Sequence, residues 1–371
     1  MTEPSTPLLR EISSRFDIPG TFLSAAPHGG GYINDTFLAR YETPSGIRCY
    51  IHQRINHNVF KEPVKVMENI QRVTAHARRQ IIAAGGDPQR ETLNLVPARD
   101  GLPYYHIPED EPFGGYWRTY LFIEGAHAFD VPENLEQVYH AARAFGNFQR
   151  LLNDLPGPRL HETILNFHHT RKRFEAFHAI LEADPAGRAG AVRPEIDFIL
   201  RREQDASRVV DLLARGELPE RVTHNDTKLN NVLIDDASGQ GICVIDLDTV
   251  MPGTVLYDFG DLIRMGTATA AEDEPDLAKM SLDLRLFAEL TRGYLSAARD
   301  FLTPLERELL VFGGRLITYE QAMRFLGDYI NGDTYYKIQY PNHNLVRART
   351  QIKMLEEMER KNKEMERILS W

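Results

Sequence analysis

The chain has 371 residues, 42% apolar and 26% charged, the make-up of a globular protein of two or three domains, which excludes a disordered, collagen-like or membrane-embedded chain. Its 43 Lys and Arg against 53 Asp and Glu leave a net charge of −10; nucleic acid exerts no general attraction on it, and the one dense basic stretch, Arg201–Arg202, is too short to make a patch. Cys49 and Cys243 show no metal-ligand spacing and are too few for a disulfide framework, Met1–Arg10 is not a basic-then-apolar leader, and no apolar run approaches the ~20 residues of a membrane span, so the expectation is a cytoplasmic protein that acts as a monomer away from membranes.

Residues 21–60 read as strands, with apolar runs at Thr36–Ala39 and Cys49–Ile51 separated by Gly29-Gly30-Gly31 and Pro44-Ser45-Gly46. Val64–Ile82 has helical spacing, and strand patterns resume at Leu93–Pro97, Pro103–Ile107 and Trp117–Ile123. One helix among about five strands makes a small mixed domain, residues 1–125, with its boundary near Gly125. From Pro132 onward the pattern changes. Val138, Ala142, Phe145, Phe148 and Leu152 recur every three or four residues, as do Leu345, Ala348, Ile352, Leu355 and Met358, the stripe of a helix packed on a core. The second domain, residues 126–371, is therefore mainly helical, except for a strand-rich island at Arg221–Asp248. The fold class expected is α+β, with a small β-rich N-terminal domain and a larger helical one.

The island carries the chemistry. Between apolar strands lie His224-Asn225-Asp226-Thr227-Lys228-Leu229-Asn230-Asn231, and Ile242–Ile245 is followed by Asp246-Leu247-Asp248. Asp226, an amide five residues later at Asn231, and Asp246 just after a strand meet the needs of phosphoryl transfer: one group to orient an attacking hydroxyl, and oxygen ligands for Mg²⁺ on nucleotide phosphates. The order His-x-Asp-x-x-x-x-Asn, then strand-Asp, is that of the kinase catalytic and metal loops. Lys228 is placed to offset charge on the transferring phosphoryl group. Any of these residues alone would mean no more than a polar turn; the combination between two apolar strands is far rarer.

This segment, with Ile245-Asp246-Leu247-Asp248-Thr249-Val250-Met251-Pro252-Gly253 and Asp258-Phe259-Gly260-Asp261, resembles the aminoglycoside phosphotransferase-like superfamily of small-molecule kinases. Within it the N-acetylhexosamine 1-kinases are the most similar group, and the resemblance extends from Gly29–Asn34 through Met323–Leu326 to His343–Arg347. It implies a protein-kinase-like bilobal fold with ATP between the lobes, Asp226 as base, and Asn231 and Asp246 as Mg²⁺ ligands. It also implies phosphorylation of the anomeric hydroxyl of an N-acetylhexosamine, with Arg324 and Tyr335 holding the sugar. Two rivals stand beside it: a kinase of another small alcohol such as an aminoglycoside, choline or homoserine, and a catalytically silent nucleotide-binding module.

Several positions are weaker. Gly29, Gly30 and Gly31 suit a turn closing over phosphates, with Asn34 where kinases have a third glycine. The kinase pattern wants a lysine on the third strand; Tyr50-Ile51-His52-Gln53-Arg54 has none, Gln53 takes its place, and Arg54 or Lys65 are candidates to assist. Tyr120–Gly125 suits a hinge whose backbone meets adenine, at Glu124. Asp258 is rejected as a metal ligand because the metal carboxylate follows the strand ending at Ile245. Asp261 is expected to buttress the catalytic loop, Asp248 is open between support and metal, and His161, His168 and His169 read as a solvated helix start.

Overall fold

A computed structural model describes residues 6–29 and 33–370. The N-terminal half comprises α1 (Thr6–Ser14), β1 (Thr21–Pro27), β2 (Asp35–Thr43), β3 (Gly46–Arg54), α2 (Pro63–Ala83), β4 (Leu95–Val96), β5 (Tyr105–Ile107) and β6 (Gly115–Leu121). Its strands form one antiparallel sheet in the order β1-β2-β3-β6-β4, with β5 also on β6. Along β2, Phe37, Ala39 and Tyr41 are buried and their neighbours are not, the alternation of a sheet with one covered face. What covers it is α1, through Leu9 and Ile12. The sequence reading allowed one helix in this half, but there are two. Only nine residues long with three apolar positions, α1 is too short to stand by its own propensity and exists because the sheet packs it.

The remainder comprises β7 (Ala126–His127), α3 (Leu135–Leu152), α4 (Thr170–Ala183), α5 (Arg193–Leu200), α6 (Glu203–Ala214), β8 (Arg221–Thr223), β9 (Val232–Asp235), β10 (Gly241–Val244), β11 (Met251–Gly253), α7 (Val255–Gly266), α8 (Leu284–Ala298), α9 (Pro304–Ile330), α10 (His343–Arg360) and α11 (Asn362–Leu369). The expected island is present as β8, β9 and β10, with β10-β9-β7 and β11-β8 as two small ladders. The molecule is thus a bilobal α+β fold. Its largest core joins α2 to α3, α7, α8 and α9, so the helix of the small lobe is anchored in the large one. Among the described residues, no helix is long and apolar enough to cross a membrane.

Two glycine contacts fix the large lobe. A Cβ on Gly260 of α7 would stand 2.4 Å from the Gly313 carbonyl oxygen of α9, and one on Gly313 would stand 2.5 Å from the Leu256 oxygen. The two helices therefore meet backbone to backbone, closer than any side chain would permit. At its start α9 is set by Pro304 at its first turn and a capping box, in which Thr303 and Glu306 satisfy each other's backbone N–H.

Candidate active site

The loop from His224 to Asn231 leaves β8 and enters β9 through a single 3-10 turn. Asn225 on this loop and Asp246 after β10 both adopt positive φ, 65° and 59°, a conformation that non-glycine residues keep only where surroundings enforce it. The enforcement is visible. The N–H groups of His224 and Asn225 donate to Asp258 Oδ2 and Oδ1 at 2.9 and 2.7 Å, and that of Thr227 donates to Asp261 Oδ2 at 3.0 Å. Asp258 is fully buried and also accepts from Gln149 Nε2 at 2.7 Å, whose own oxygen is held by the Tyr294 hydroxyl. Asp261 therefore does support the loop. Asp258, which the sequence reading only excluded from the metal site, carries more of it. The clue lay in two carboxylates three apart on a helix buried along nearly its whole length, since such charges need partners.

His224 ties the two chemical loops together. Its Nε2 donates to the Ile245 carbonyl at 2.9 Å, and its Nδ1 accepts from the Asp226 N–H at 3.3 Å. Asp226 is half-buried. One carboxylate oxygen, Oδ2, is taken by Lys228 Nζ at 2.9 Å and Asn231 Nδ2 at 3.3 Å, and the other accepts no hydrogen bond among the described residues. Burial alone would lower the Lys228 ammonium, but Asp226, Asp246 and Asp261 outweigh it and raise it. Asn231, bound through its nitrogen to Asp226, leaves its Oδ1 without a donor among the described residues. Asp246 likewise accepts no hydrogen bond among the described residues, and part of its surface is open to solvent. Burial, followed by the charges of Asp248 and Asp226, pushes it up to about 6. Repelling carboxylates and undonated oxygens at one spot are the donor set of a hard divalent cation. Among the described residues no three His, Cys, Asp or Glu side chains form a self-contained metal cluster, so an ion held by Asp246 and Asn231 would take its remaining ligands from phosphate and water.

Above this floor lies the sheet. Gly29 has φ +75° with open space around it, whereas Gly30 and Gly31 lie outside the described residues. Asn34 turns its side chain down, donating from Nδ2 to Asp248 Oδ2 at 2.6 Å and accepting the Asn56 N–H at 3.0 Å. Arg54 is bound to Asp35 at 2.5 Å and Lys65 to Glu62 at 2.6 Å, so both candidate substitutes for the third-strand lysine are engaged elsewhere. The cation that reaches the metal loop is one the sequence reading missed, Arg118 on β6. It is directly paired with Gln53, whose Oε1 accepts from its Nε at 3.0 Å, and its guanidinium forks onto both oxygens of Asp248. At the hinge, the N–H groups of Ile123 and Glu124 make no hydrogen bond among the described residues, while the Glu124 carbonyl accepts from Arg90 at 3.1 Å.

The residues expected to hold the acceptor lie where α4, α9 and the segment 331–342 meet. Asp328 pins this segment by accepting the N–H groups of Thr334, Tyr335 and Tyr336 at 2.8–2.9 Å, which leaves the Tyr335 ring exposed beside Arg324. Arg324 also lies over the rings of Phe167 and Tyr336, at 5.3 and 5.6 Å. Its guanidinium donates to Gln321 at 3.3 Å, and among the described residues it makes no direct ion pair with Glu320. That acid is held by His168 Nδ1 at 2.8 Å and the Thr170 hydroxyl at 3.1 Å. His168 corrects the sequence reading: its side chain is buried, not solvated, and its Nε2 donates to the Asn225 carbonyl at 3.2 Å, joining Glu320 of α9 to the loop of Asp226. His169 does start α4, and His161 is half-exposed on Glu68. Near Arg324 stands Arg173, lowered first by burial and then by Arg324 itself; neither arginine has a carboxylate within 4.0 Å among the described residues.

Solved structures share this architecture at low identity. A microcompartment-associated aminopropanol kinase superposes with TM-score 0.60 at 16% identity, over 97% of this chain and 98% of that one. Spectinomycin phosphotransferase bound to ADP and spectinomycin gives 0.56 at 14%, over 96% and 98%, and choline kinase from Cryptosporidium parvum gives 0.57 at 12%, over 98% and 99%. Residues 24–299, from the first strand of the sheet through α8, match the phosphotransferase enzyme family, and with nearly three-quarters of its length inside that match the chain belongs to this family.

Proposed function

We propose that the protein is an ATP- and Mg²⁺-dependent kinase that phosphorylates the anomeric hydroxyl of an N-acetylhexosamine. The observation that carries the reaction is the Asp226 carboxylate, clamped on one oxygen by Lys228 and Asn231 and open on the other. The open oxygen orients the acceptor hydroxyl and takes its proton as the oxygen bonds to the γ-phosphorus and the bond from phosphorus to the β–γ bridging oxygen breaks, releasing ADP. Lys228 offsets charge on the transferring group. Asn231 and Asp246 would hold the metal ion, which when bound neutralises phosphate charge. Gly29–Gly31 and Asn34 would cover the phosphates, and the free N–H groups at Ile123 and Glu124 would meet adenine.

The charge around Arg324 bears on the acceptor class. Neighbours named for aminopropanol and choline take acceptors bearing an ammonium group. Here the pocket presents Arg173 and Arg324 against aromatic rings, and its two acids, Glu320 and Asp328, are both already bound, one by His168 and the other by backbone N–H groups. Two guanidinium groups repel an ammonium but donate well to hydroxyl and amide oxygens, which favours a neutral, oxygen-rich sugar over a cationic alcohol. The test is ADP release with N-acetylglucosamine, N-acetylgalactosamine, glucosamine, choline, aminopropanol and spectinomycin at matched concentration. The reading requires the two acetamido sugars to lead the panel and the product to lose its reducing end. Turnover of a cationic alcohol in preference to both sugars refutes it.

A further inference from the structure

Arg118 and Asp248 are both almost fully buried, 1% and 2% exposed by side chain, and they come from opposite lobes: Arg118 from β6 of the sheet, Asp248 from the turn after β10. Four groups meet there. Gln53, in the place of the missing lysine, accepts from Arg118 Nε; Arg118 forks onto Asp248; Asn34 donates to the same carboxylate from the β1–β2 turn. Asp248 follows Asp246 by two residues, and among the described residues Asp246 has no side-chain hydrogen bond of its own to fix it. Its carboxylate is aimed only by its left-handed backbone and by what holds the turn.

We propose that Arg118 is a positioning residue that acts through Asp248 to aim Asp246 into the cleft, so that the sheet, which in kinases offers a third-strand lysine to the nucleotide phosphates, is here joined to the metal loop by an arginine one strand over. Arginine suits the task because its rigid fork fixes the orientation of a carboxylate, which a lysine cannot do. Asp248 on this account is an anchor and not itself a metal ligand. The inference rests on the reading of Asp246 as the metal carboxylate.

The experiment is calorimetric ADP binding, with and without Mg²⁺, on the parent, Arg118→Met, and the double variant Arg118→Met/Asp248→Asn, with melting temperature in parallel. Arg118→Met strands a buried carboxylate and should lower the melting temperature; the double variant removes that charge and should recover it. If the pair positions Asp246, the double variant still loses at least ten-fold in the Mg²⁺-dependent part of ADP affinity, while affinity without Mg²⁺ changes less than three-fold. A double variant with parental Mg²⁺ dependence makes the pair mere charge balance and overturns the inference alone. A parent whose ADP affinity is indifferent to Mg²⁺ overturns the metal reading and the inference with it.

Discussion

Replacing Asp258 by Asn tests whether the base is aimed from below. The carboxylate accepts three hydrogen bonds: Asn225 N–H on Oδ1, and His224 N–H and Gln149 Nε2 on Oδ2. Even if Gln149 flipped and the Tyr294 hydroxyl turned to accept from it, an NH₂ on that side would still face the His224 N–H. Turning the NH₂ toward Asn225 keeps the other two bonds and exchanges one charge-assisted bond for two donors facing each other. Such a loss costs about 2–4 kcal/mol, or roughly 3–5 °C in melting temperature for a chain of this length. The damage falls on the residue before Asp226, at a positive φ that this bond helps to enforce. A base displaced by a fraction of an ångström loses on the order of ten- to a hundred-fold in rate. The assay is ADP release under saturating nucleotide, with nucleotide affinity measured separately. The expected result is low kcat with near-parental nucleotide affinity in a folded protein. Parental melting temperature and turnover together would refute the reasoning.

Three further outcomes are expected. Asp226→Asn keeps shape but cannot take a proton, so turnover falls by a factor on the order of a thousand with little change in melting temperature; a rate within a few-fold of the parent would remove Asp226 as base. Arg324→Ala raises KM for the sugar or lowers turnover on it by roughly ten- to a hundred-fold, with nucleotide affinity unchanged, and a lowered melting temperature with parental sugar kinetics would make it structural. His52, buried between Ser13 and Thr119, is lowered by burial to about 3. The unfolded chain binds its proton near pH 6.5 and the folded one does not, so stability is complete above about pH 7 and falls as pH drops from 6.5 toward 3. By pH 5 the loss is about 2 kcal/mol, and urea unfolding of His52→Gln at pH 7 and 5 should show a drop smaller by that amount.

The catalytic loop was legible because its groups are near neighbours in the chain: Asp226, Lys228 and Asn231 fall within one turn region, and apolar strands on either side announce how it is held. The supports were not. Arg118 meets Asp248 across 130 residues, Asn34 meets it across 214, and His168 meets Glu320 across 152. No local pattern encodes such pairs. The histidine was misread for this reason, since a polar stretch before a helix looks solvated until an acid from α9 is laid against it. The missing lysine had the same character: Gln53 announced the absence, but only the β3–β6 register says which residue stands beside it.

The glycine contact between α7 and α9 has a consequence for how acceptor preference can change. Asp258 and Asp261, which hold the loop of Asp226, ride on α7, while Glu320, Arg324 and Asp328, which line the proposed acceptor site, ride on α9. With Gly260 and Gly313 in backbone contact, neither helix can slide or tilt to make room for a bulkier acceptor without dislodging the other, and with it the base. Enlarging or reshaping the proposed pocket is thus left to the segment 331–342 and to side-chain replacements, not to movement of α7 or α9. Variants selected for a new acceptor should accumulate at those positions and leave Gly260 and Gly313 untouched.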